Sequence, residues 1–474
     1  MKMVKSLLLG SAAGLVAIAG AQAADLPVKA KPVEYVKVCS LYGVGFYYIP
    51  GTDTCLKVGG FVRHEWGFHG GGSHSQYLSG ANALNNREDT HDVQSRTRAN
   101  ITLDARTQTE IGTVRTYIRF GPQWTTGNGD NGEQYFDAAF IQFAGFTVGK
   151  IRSFYDFAEA IAGTYTTLVG IGGSTGNGVN TIAYTAQFGS GFSATIGVED
   201  PTTRRSSILN ADGINGPIFG AAGALVGQTP ADWYAGVSVP DIIANLRVDQ
   251  AWGSAQISGV LHQVRSDYYN GLTTGGHPGD EWGWAIQGGV QFNLPWAKGD
   301  RLLLQAVYGQ GASEFTGANN QSATGAYGYY GGDVTFGWAP DAVIGLNGQL
   351  ELIESWGLMA LVEHYWTPAL RTAVFGTYTE VNWNGAATDA FCANIVMVGT
   401  CNPDFQIWQV GTKTVWNPVA NLDIGLEVLY TNINTDSTGQ VALGTNGSNP
   451  AGVYNIGDNG IWSGLLRFQR NFWP

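Results

Sequence analysis

Five arginines, Arg96, Arg98, Arg106, Arg115 and Arg119, stand between Gln94 and Phe120 in a chain with only 13% charged residues, against roughly 25% in an ordinary soluble domain. A guanidinium is always charged and presents its donors as a planar fork that fits carboxylates and phosphates. Such a concentration suits ion pairing or a charged wall along a path for solutes. The other chemistry-bearing motifs are weaker. "HEWGFH", His64 to His69, resembles the zinc motif HExxH, but it has one residue too many, and on a strand its histidines point to opposite faces. "GNGDNG", Gly127 to Gly132, matches GxGxxG yet leads into the strand pattern "EQYFDAAFIQF". The dinucleotide fingerprint needs a helix there, so this is a polar loop. No Ser or Cys sits beside a histidine in a recognisable nucleophile motif, and no cofactor or metal is expected. The acidic balance of −12 argues against nucleic acid, which needs a basic surface.

The arginines sit in a period-two pattern. Val93, Thr97, Ala99, Ile101 and Leu103 share one face of a strand, and Gln94, Arg96, Arg98, Asn100, Thr102 and Arg106 share the other. After a short turn around Thr109 to Gly112, Val114, Thr116, Ile118 and Phe120 oppose Arg115, Tyr117 and Arg119. All five arginines therefore fall on the polar faces, and Arg63 of the preceding strand points the same way. "CLKVGGFVRHEW" and "LDIGLEVLY" repeat the alternation. Near the end, Trp462, Leu466, Phe468 and Phe472 alternate with Ser463, Arg467 and Gln469. Strands with one apolar and one polar face run through the whole chain.

Gly is twice as frequent as usual, at 68 of 474 residues, and aromatics reach 12%, a composition for strands and turns. Residues 1–23 read as a secretory signal: Lys2 and Lys5, an apolar run from Leu7 to Gly20, then Ala21-Gln22-Ala23 before the cleavage point. No later apolar run is long enough for a membrane-spanning helix. The four cysteines form two local pairs, Cys39 with Cys55 and Cys392 with Cys401. Their spacing is not CxxC and no histidine adjoins them, so two loop-stapling disulfides are expected in an oxidising compartment. The stretch 24–38 reads as an extended leader, and residues 24–474 as one domain.

A soluble sandwich or propeller could carry the same alternation. Three features favour a membrane barrel. The strands run to ten residues or more. Aromatics gather near strand ends, as in Phe46-Tyr47-Tyr48, Trp282 with Trp284 and Phe472-Trp473. Tight turns such as Ala144-Gly145 alternate with long polar connections. The length suits about 16 strands of ~10 residues with alternating short and long links. An Arg facing lipid at the bilayer midplane costs about 2–4 kcal/mol, so the arginine face must be the lumen. Counting strands puts a long segment, "SFYDFAEAIAGTYTTLVGIGGSTGNGVN", after the fifth one. It begins with Asp156 and Glu159 and has small residues able to pack inside a lumen.

Three stretches give the chain a family likeness: "VCSLYGVGFYYIPGTDTCLKVGGFVR" from Val38 to Arg63, "FTVGKIRSFYDF" from Phe146 to Phe157, and the aromatic terminal strand "LLRFQRNFW". With these it resembles the alphaproteobacterial outer-membrane porins of the rhizobial and Brucella type, over essentially the whole length beyond residue 23. The terminal Pro474 departs from the closing Phe common in such barrels. The resemblance implies an all-β antiparallel transmembrane barrel of 16 strands, usually a homotrimer, with the third external loop folded into the lumen. Asp156 and Glu159 on that loop would then face Arg96, Arg98, Arg115 and Arg119, with Arg63 beside them, across a pore constriction. Opposed charges there would tune selectivity. Asp130, Glu133 and Asp137 are rival carboxylates. The alternative is that these groups neutralise one another as salt bridges between wall and loop.

The expected function is passive diffusion of small hydrophilic solutes and ions through the outer membrane of a Gram-negative bacterium. Outer-membrane lipid and two further copies of the chain would be the partners. A channel specific for a sugar, dicarboxylate or phosphate is the alternative. An outer-membrane enzyme or an adhesin has no motif to carry it. Net acidity inclines the expectation towards weak cation preference, with the arginine wall pulling the other way.

Overall fold

The computed structural model describes residues 37–69, 92–126, 132–166, 168–172, 178–210, 234–269, 275–319, 326–330, 332–393, 395, 397–443 and 450–472. The signal sequence, most of the leader, all but the last residue of "GNGDNG", and Trp473 and Pro474 lie outside these.

Sixteen strands close into one antiparallel barrel. They are β1 Thr54–Phe68, β2 Val93–Thr109, β3 Gly112–Thr125, β4 Glu133–Phe143, β5 Phe146–Ile151, β6 Val179–Gly189, β7 Phe192–Glu199, β8 Asp241–Gln250, β9 Gly253–Val264, β10 Glu281–Asn293, β11 Arg301–Gln310, β12 Glu354–Thr367, β13 Leu370–Asn382, β14 Phe405–Trp416, β15 Leu422–Thr435 and β16 Asn459–Asn471. Each pairs with its sequence neighbours, and β1 pairs with β16 from Phe61↔Asn471 to Phe68↔Gly464, which closes the ring. A two-residue strand, Tyr47–Tyr48, adds to the edge of β1. Closure leaves no open sheet edge, as hydrocarbon requires, because water is absent there to satisfy unpaired backbone groups.

The alternation read from the sequence sets inside and outside. Outward positions are apolar and exposed, for example Val62, Ile101, Leu246, Ile257, Val374 and Leu426, while their neighbours Arg96, Asn245, Gln256, Ala373 and Glu427 are buried within. Trp282 and Trp284 face outward at one end of β10. Phe46, read from the sequence as part of such a girdle, is instead buried in a small cluster with Cys39 and Cys55. The polar turn residues around it fold that segment back on the barrel end, beneath the Arg106 guanidinium 4.9 Å from its ring.

One end of the barrel is made of tight turns. Ala144-Gly145 joins β4 to β5 with φ of 50° and 88°, and Ser190-Gly191 joins β6 to β7 with φ of 49° and 77°. Positive φ at both central residues is the two-residue hairpin geometry that matches strand twist. The other end carries the long connections, and these fold. Strands 326–330, 334–338, 397–400, 438–443 and 452–456 make a five-stranded sheet; 208–210, 342–344 and 350–352 make a three-stranded one. With the helix Gly385–Cys392 they share an apolar core that includes Trp338, Phe336, Phe391 and Phe405, and reaches the inward side chains Val381, Ile407, Ile433 and Ile461 at the strand ends.

Both expected disulfides are present. Cys39–Cys55 ties the leading segment to β1 with Cα atoms 6.0 Å apart, and Cys392–Cys401 ties the helix of the cap to the chain entering β14 with Cα atoms 5.9 Å apart.

The outward face gives a direct test. Ile257→Arg, near the middle of β9, is expected to lower stability in lipid vesicles by about 2–4 kcal/mol. Ser254→Ala, inward on the same strand, is expected to unfold at nearly the wild-type urea concentration, since its buried hydroxyl has no hydrogen-bond partner among the described residues and the change adds no charge to the lipid face. Equal losses for the two would contradict this inside-outside assignment.

Candidate functional site

All six arginines expected on one face lie there, and their register is now defined. Across β16, β1 and β2, Arg467 lies opposite Glu65, which lies opposite Arg96. Glu65 accepts from Arg467 Nε at 2.5 Å through Oε1, and from Arg96 Nε at 2.9 Å through Oε2. The three are nearly or fully buried. One row towards the tight turns, Gln469, Arg63, Arg98 and Gln123 follow one another across β16 to β3. Arg63 Nε donates to Gln469 Oε1 at 2.7 Å, and Arg98 Nε donates to Gln123 Oε1 at 2.9 Å. Further down, Asp104 holds both Arg106 and Arg115, with Nη2–Oδ2 distances of 2.8 and 3.0 Å. Arg119 sits 3.2 Å from Asp137, so one of the rival carboxylates is engaged with the wall.

The chain after β5 meets the opposite wall. Its backbone is bound, strand after strand, by inward polar side chains. Glu199 of β7 accepts from Ser153 Oγ and Phe154 N, at 2.8 and 3.2 Å. Asn245 of β8 donates to Phe154 O at 2.5 Å, and Gln256 of β9 to Asp156 O at 3.1 Å. Gln287 of β10 donates to Tyr155 O, and Gln305 of β11 to Ile171 O. Gln409 of β14 accepts from Val169 N at 2.8 Å. Glu427 of β15 accepts from Tyr165 N and Thr166 N, both at 2.7 Å. Inward glycines make room: a Cβ on Gly357 would stand 2.7 Å from Gly170 Cα, and one on Gly289 2.5 Å from Phe157 Cγ. Phe157, Ala160, Leu168 and Ile171 pack on the inward Leu303, Met359, Leu361 and Phe375.

The two carboxylates of this segment are paired away from the arginine rows. Glu159 binds Arg247 of β8 at 2.5 Å. Asp156 lies 3.5 Å from Arg204, which the next long connection supplies just after β7. The sequence reading set both against Arg96, Arg98, Arg115 and Arg119; the structure gives them other cations. The physical reason is proximity along the wall: the segment lies along β7 and β8, where Arg204 and Arg247 are within reach.

Arg204 is one of several groups the sequence did not single out. It is fully buried, its guanidinium 4.2 Å from the Phe315 ring. Beside it, His262 Nδ1 is 2.7 Å from Asp241, and its Nε2 is 3.1 Å from the Tyr234 hydroxyl, which donates to Asp341 at 2.7 Å. Asp341 also accepts from Ser206 N and Ser313 N. This buried network fastens the connections after β5, β7 and β11 to one another and to the inward faces of β8 and β9. The only hints in the sequence were Arg204-Arg205 in a polar loop and glutamines on inward strand positions. His64 of "HEWGFH" contacts Thr97 Oγ1 at 2.8 Å, and His69 lies 3.9 Å from Asp92; the two do not converge.

Glu314, in the connection after β11, adds a titrating element. Burial pushes its carboxyl up to about 8, against the pull of Arg204. The buried form is thus the neutral acid.

A closed 16-strand antiparallel barrel with an apolar outside and a charged inside defines an outer-membrane channel. The model of the porin subfamily matches residues 25–465, and the chain belongs to that family. It is 31% identical to porin Omp2a of Brucella melitensis over 318 residues, covering 62% of this chain and 82% of the relative. It is 32% identical to porin Omp2b of Brucella neotomae over 342 residues, covering 70% and 78%. In fold it is similar to the outer membrane channel DcaP of Acinetobacter baumannii, with a TM-score of 0.56 at 16% identity, covering 90% of this chain and 99% of that one. It is a general porin of the outer membrane.

Glu314 sets a pH dependence whose sign is fixed. Because its folded value lies above the ordinary 4.5, its contribution is complete below pH 4.5 and is lost as pH rises towards and through 8. Backbone protection over residues 313–319, corrected for intrinsic exchange, is therefore expected to fall across that window. In Glu314→Gln the fall should disappear. A wild-type profile flat from pH 4.5 to 9 would contradict the assignment.

Proposed function

We propose that solutes cross the barrel through a crescent between the segment after β5 and the wall formed by β16 and β1 to β4. The third external loop is then the inserted element, and Arg63, Arg98, Arg115 and Arg119 line the constriction, with Arg96 buried behind them in its pair with Glu65. One observation carries this reading. Inward side chains on β8 to β11 such as Gln256, Gln287, Leu303 and Gln305 are buried under the segment, whereas Arg115 and Arg119 on the other wall keep 28% and 35% exposure. Asp156 and Glu159 act in this scheme as anchors of the loop. Transport is passive, since diffusion along a wet charged path needs no catalysis and no energy coupling. Residues 24–474 form the barrel after removal of 1–23, and three copies assemble in the membrane, as the family resemblance implies.

The purified protein in a planar bilayer is expected to open in steps, with closures in threes, and to conduct in proportion to salt without saturating for neutral sugars. A heat-stable, inserted oligomer that stays silent would overturn the open-path reading. Saturable block of the current by one sugar would favour a substrate-specific channel instead.

A further inference from the structure

We infer that Arg63 and Arg98 form an oxyanion station on the pore wall, and that it makes the channel prefer anions. The inference rests on the open-path reading above.

The two residues are direct register partners on β1 and β2. Like charges placed opposite one another destabilise a sheet, and neighbouring rows relieve this with a carboxylate: Glu65 between Arg96 and Arg467, Asp104 between Arg106 and Arg115. In the row of Arg63 and Arg98 no acid lies next to either arginine: the row's carboxylate, Glu133, stands one strand beyond, opposite Gln123. Both guanidiniums are held by neutral amide oxygens, of Gln469 and Gln123. Those amides are themselves fixed, Gln469 donating to Asn471 at 2.7 Å and Gln123 to Glu133 at 2.8 Å. Aromatic rings support the planes: the Arg98 guanidinium lies 4.2 Å from the Tyr135 ring, and that of Arg63 4.7 Å from the Phe61 ring. Tyr135 is in turn fixed by donating to Ala99 O at 2.8 Å.

The result is a pair of oriented forks with donors left over. Arg63 spends Nε on Gln469, and neither of its terminal nitrogens has a hydrogen bond among the described residues; Arg98 keeps Nη1. Two such forks on adjacent strands, about 5 Å apart at Cβ, suit a small oxyanion, carboxylate or phosphate, bound by parallel N–H···O bonds. The surroundings agree in sign. The inward faces of β16 and β1 to β4 carry eight Lys and Arg against four Asp and Glu, a surplus of four cations. The loop acids that could have balanced them, Asp156 and Glu159, are held by Arg204 and Arg247. Selectivity follows the charge next to the path, not the chain's net −12, much of which lies elsewhere. Weak cation preference, the expectation from net charge, is replaced by anion preference.

The test is a reversal potential under a potassium chloride gradient, followed by titration of inorganic phosphate against the chloride current. Wild type is expected to be anion-selective and to lose chloride current on phosphate addition. The double variant Arg63→Gln/Arg98→Gln should shift the reversal potential towards cations and lose the phosphate block. Arg63→Lys/Arg98→Lys should keep the anion preference, since charge is retained, but lose the block, since the forks are gone. Arg265→Gln, in an external connection, should match wild type. A conducting wild type that prefers cations, or a double Gln variant indistinguishable from wild type, overturns the station and leaves the pore reading intact. A silent wild type removes the pore reading and the station with it.

Discussion

Hydrocarbon accepts no unpaired backbone amide and almost no charge, and this structure follows from that. Sixteen strands satisfy one another's backbone only by closing. Once closed, every second side chain is committed to lipid or to the interior. A chain with few charges can then put nearly all of them on one face, and the arginines of β1 to β3 face inward because the outward alternative costs kilocalories per residue. Concentration of charge in the lumen is thus a consequence of the solvent outside, before any question of function.

An interior lined with polar groups needs partners, and the two halves of the barrel solve this differently. On β7 to β11, β14 and β15 the partners are backbone groups of the segment after β5. Asn and Gln amides, with Glu199 and Glu427, bind its carbonyls and amides one after another, while Leu303, Met359 and Phe375 bury its apolar side chains. On β16 and β1 to β4 most partners are other wall residues: Glu65, Asp104 and Asp137 hold arginines, Arg63 and Arg98 bind Gln469 and Gln123, and Arg467 also lies 3.8 Å from the ring of Tyr165 in the segment after β5. The first half is covered by the segment, whereas Arg106, Arg115 and Arg119 of the second stay partly exposed. The folded cap above the long-connection end, with its apolar core reaching Val381, Ile407, Ile433 and Ile461, lies over β13 to β16 and continues the same asymmetry.

The buried network around Arg204, His262, Asp241, Asp341 and Glu314 ties the segment after β5 to its neighbours through the Arg204–Asp156 pair. Charges taken from water must be paired, and here the pairs come from three connections and from strands β8 and β9. Loosening any one leaves buried charge in the others, so the connections are stabilised as a unit rather than singly. Glu314 is neutral in that cluster because burial raises its carboxyl more than Arg204 lowers it, and Asp341 and Asp156 add to the rise.

Much of this was legible in the chain of residues. Alternation over "LDIGLEVLY" or "CLKVGGFVRHEW" fixes which side chains share a face, because a strand has period two whatever its neighbours. The same rule put Arg63, Arg96, Arg98, Arg106, Arg115 and Arg119 on one surface, and the lipid cost named it the lumen. Local cysteine spacing was enough for both disulfides. What the residues could not supply was partnership across the barrel. Period two says that Arg63 and Arg98 point inward, but only register makes them neighbours with glutamines on either side. Strand counting located the long segment after β5, yet its carboxylates went to Arg204 and Arg247 because the closed ring brings β7, β8 and the following connection beside it. Those contacts join residues 48 and 88 positions apart, and nothing local encodes them; they exist only once the strands have closed and the connections have packed.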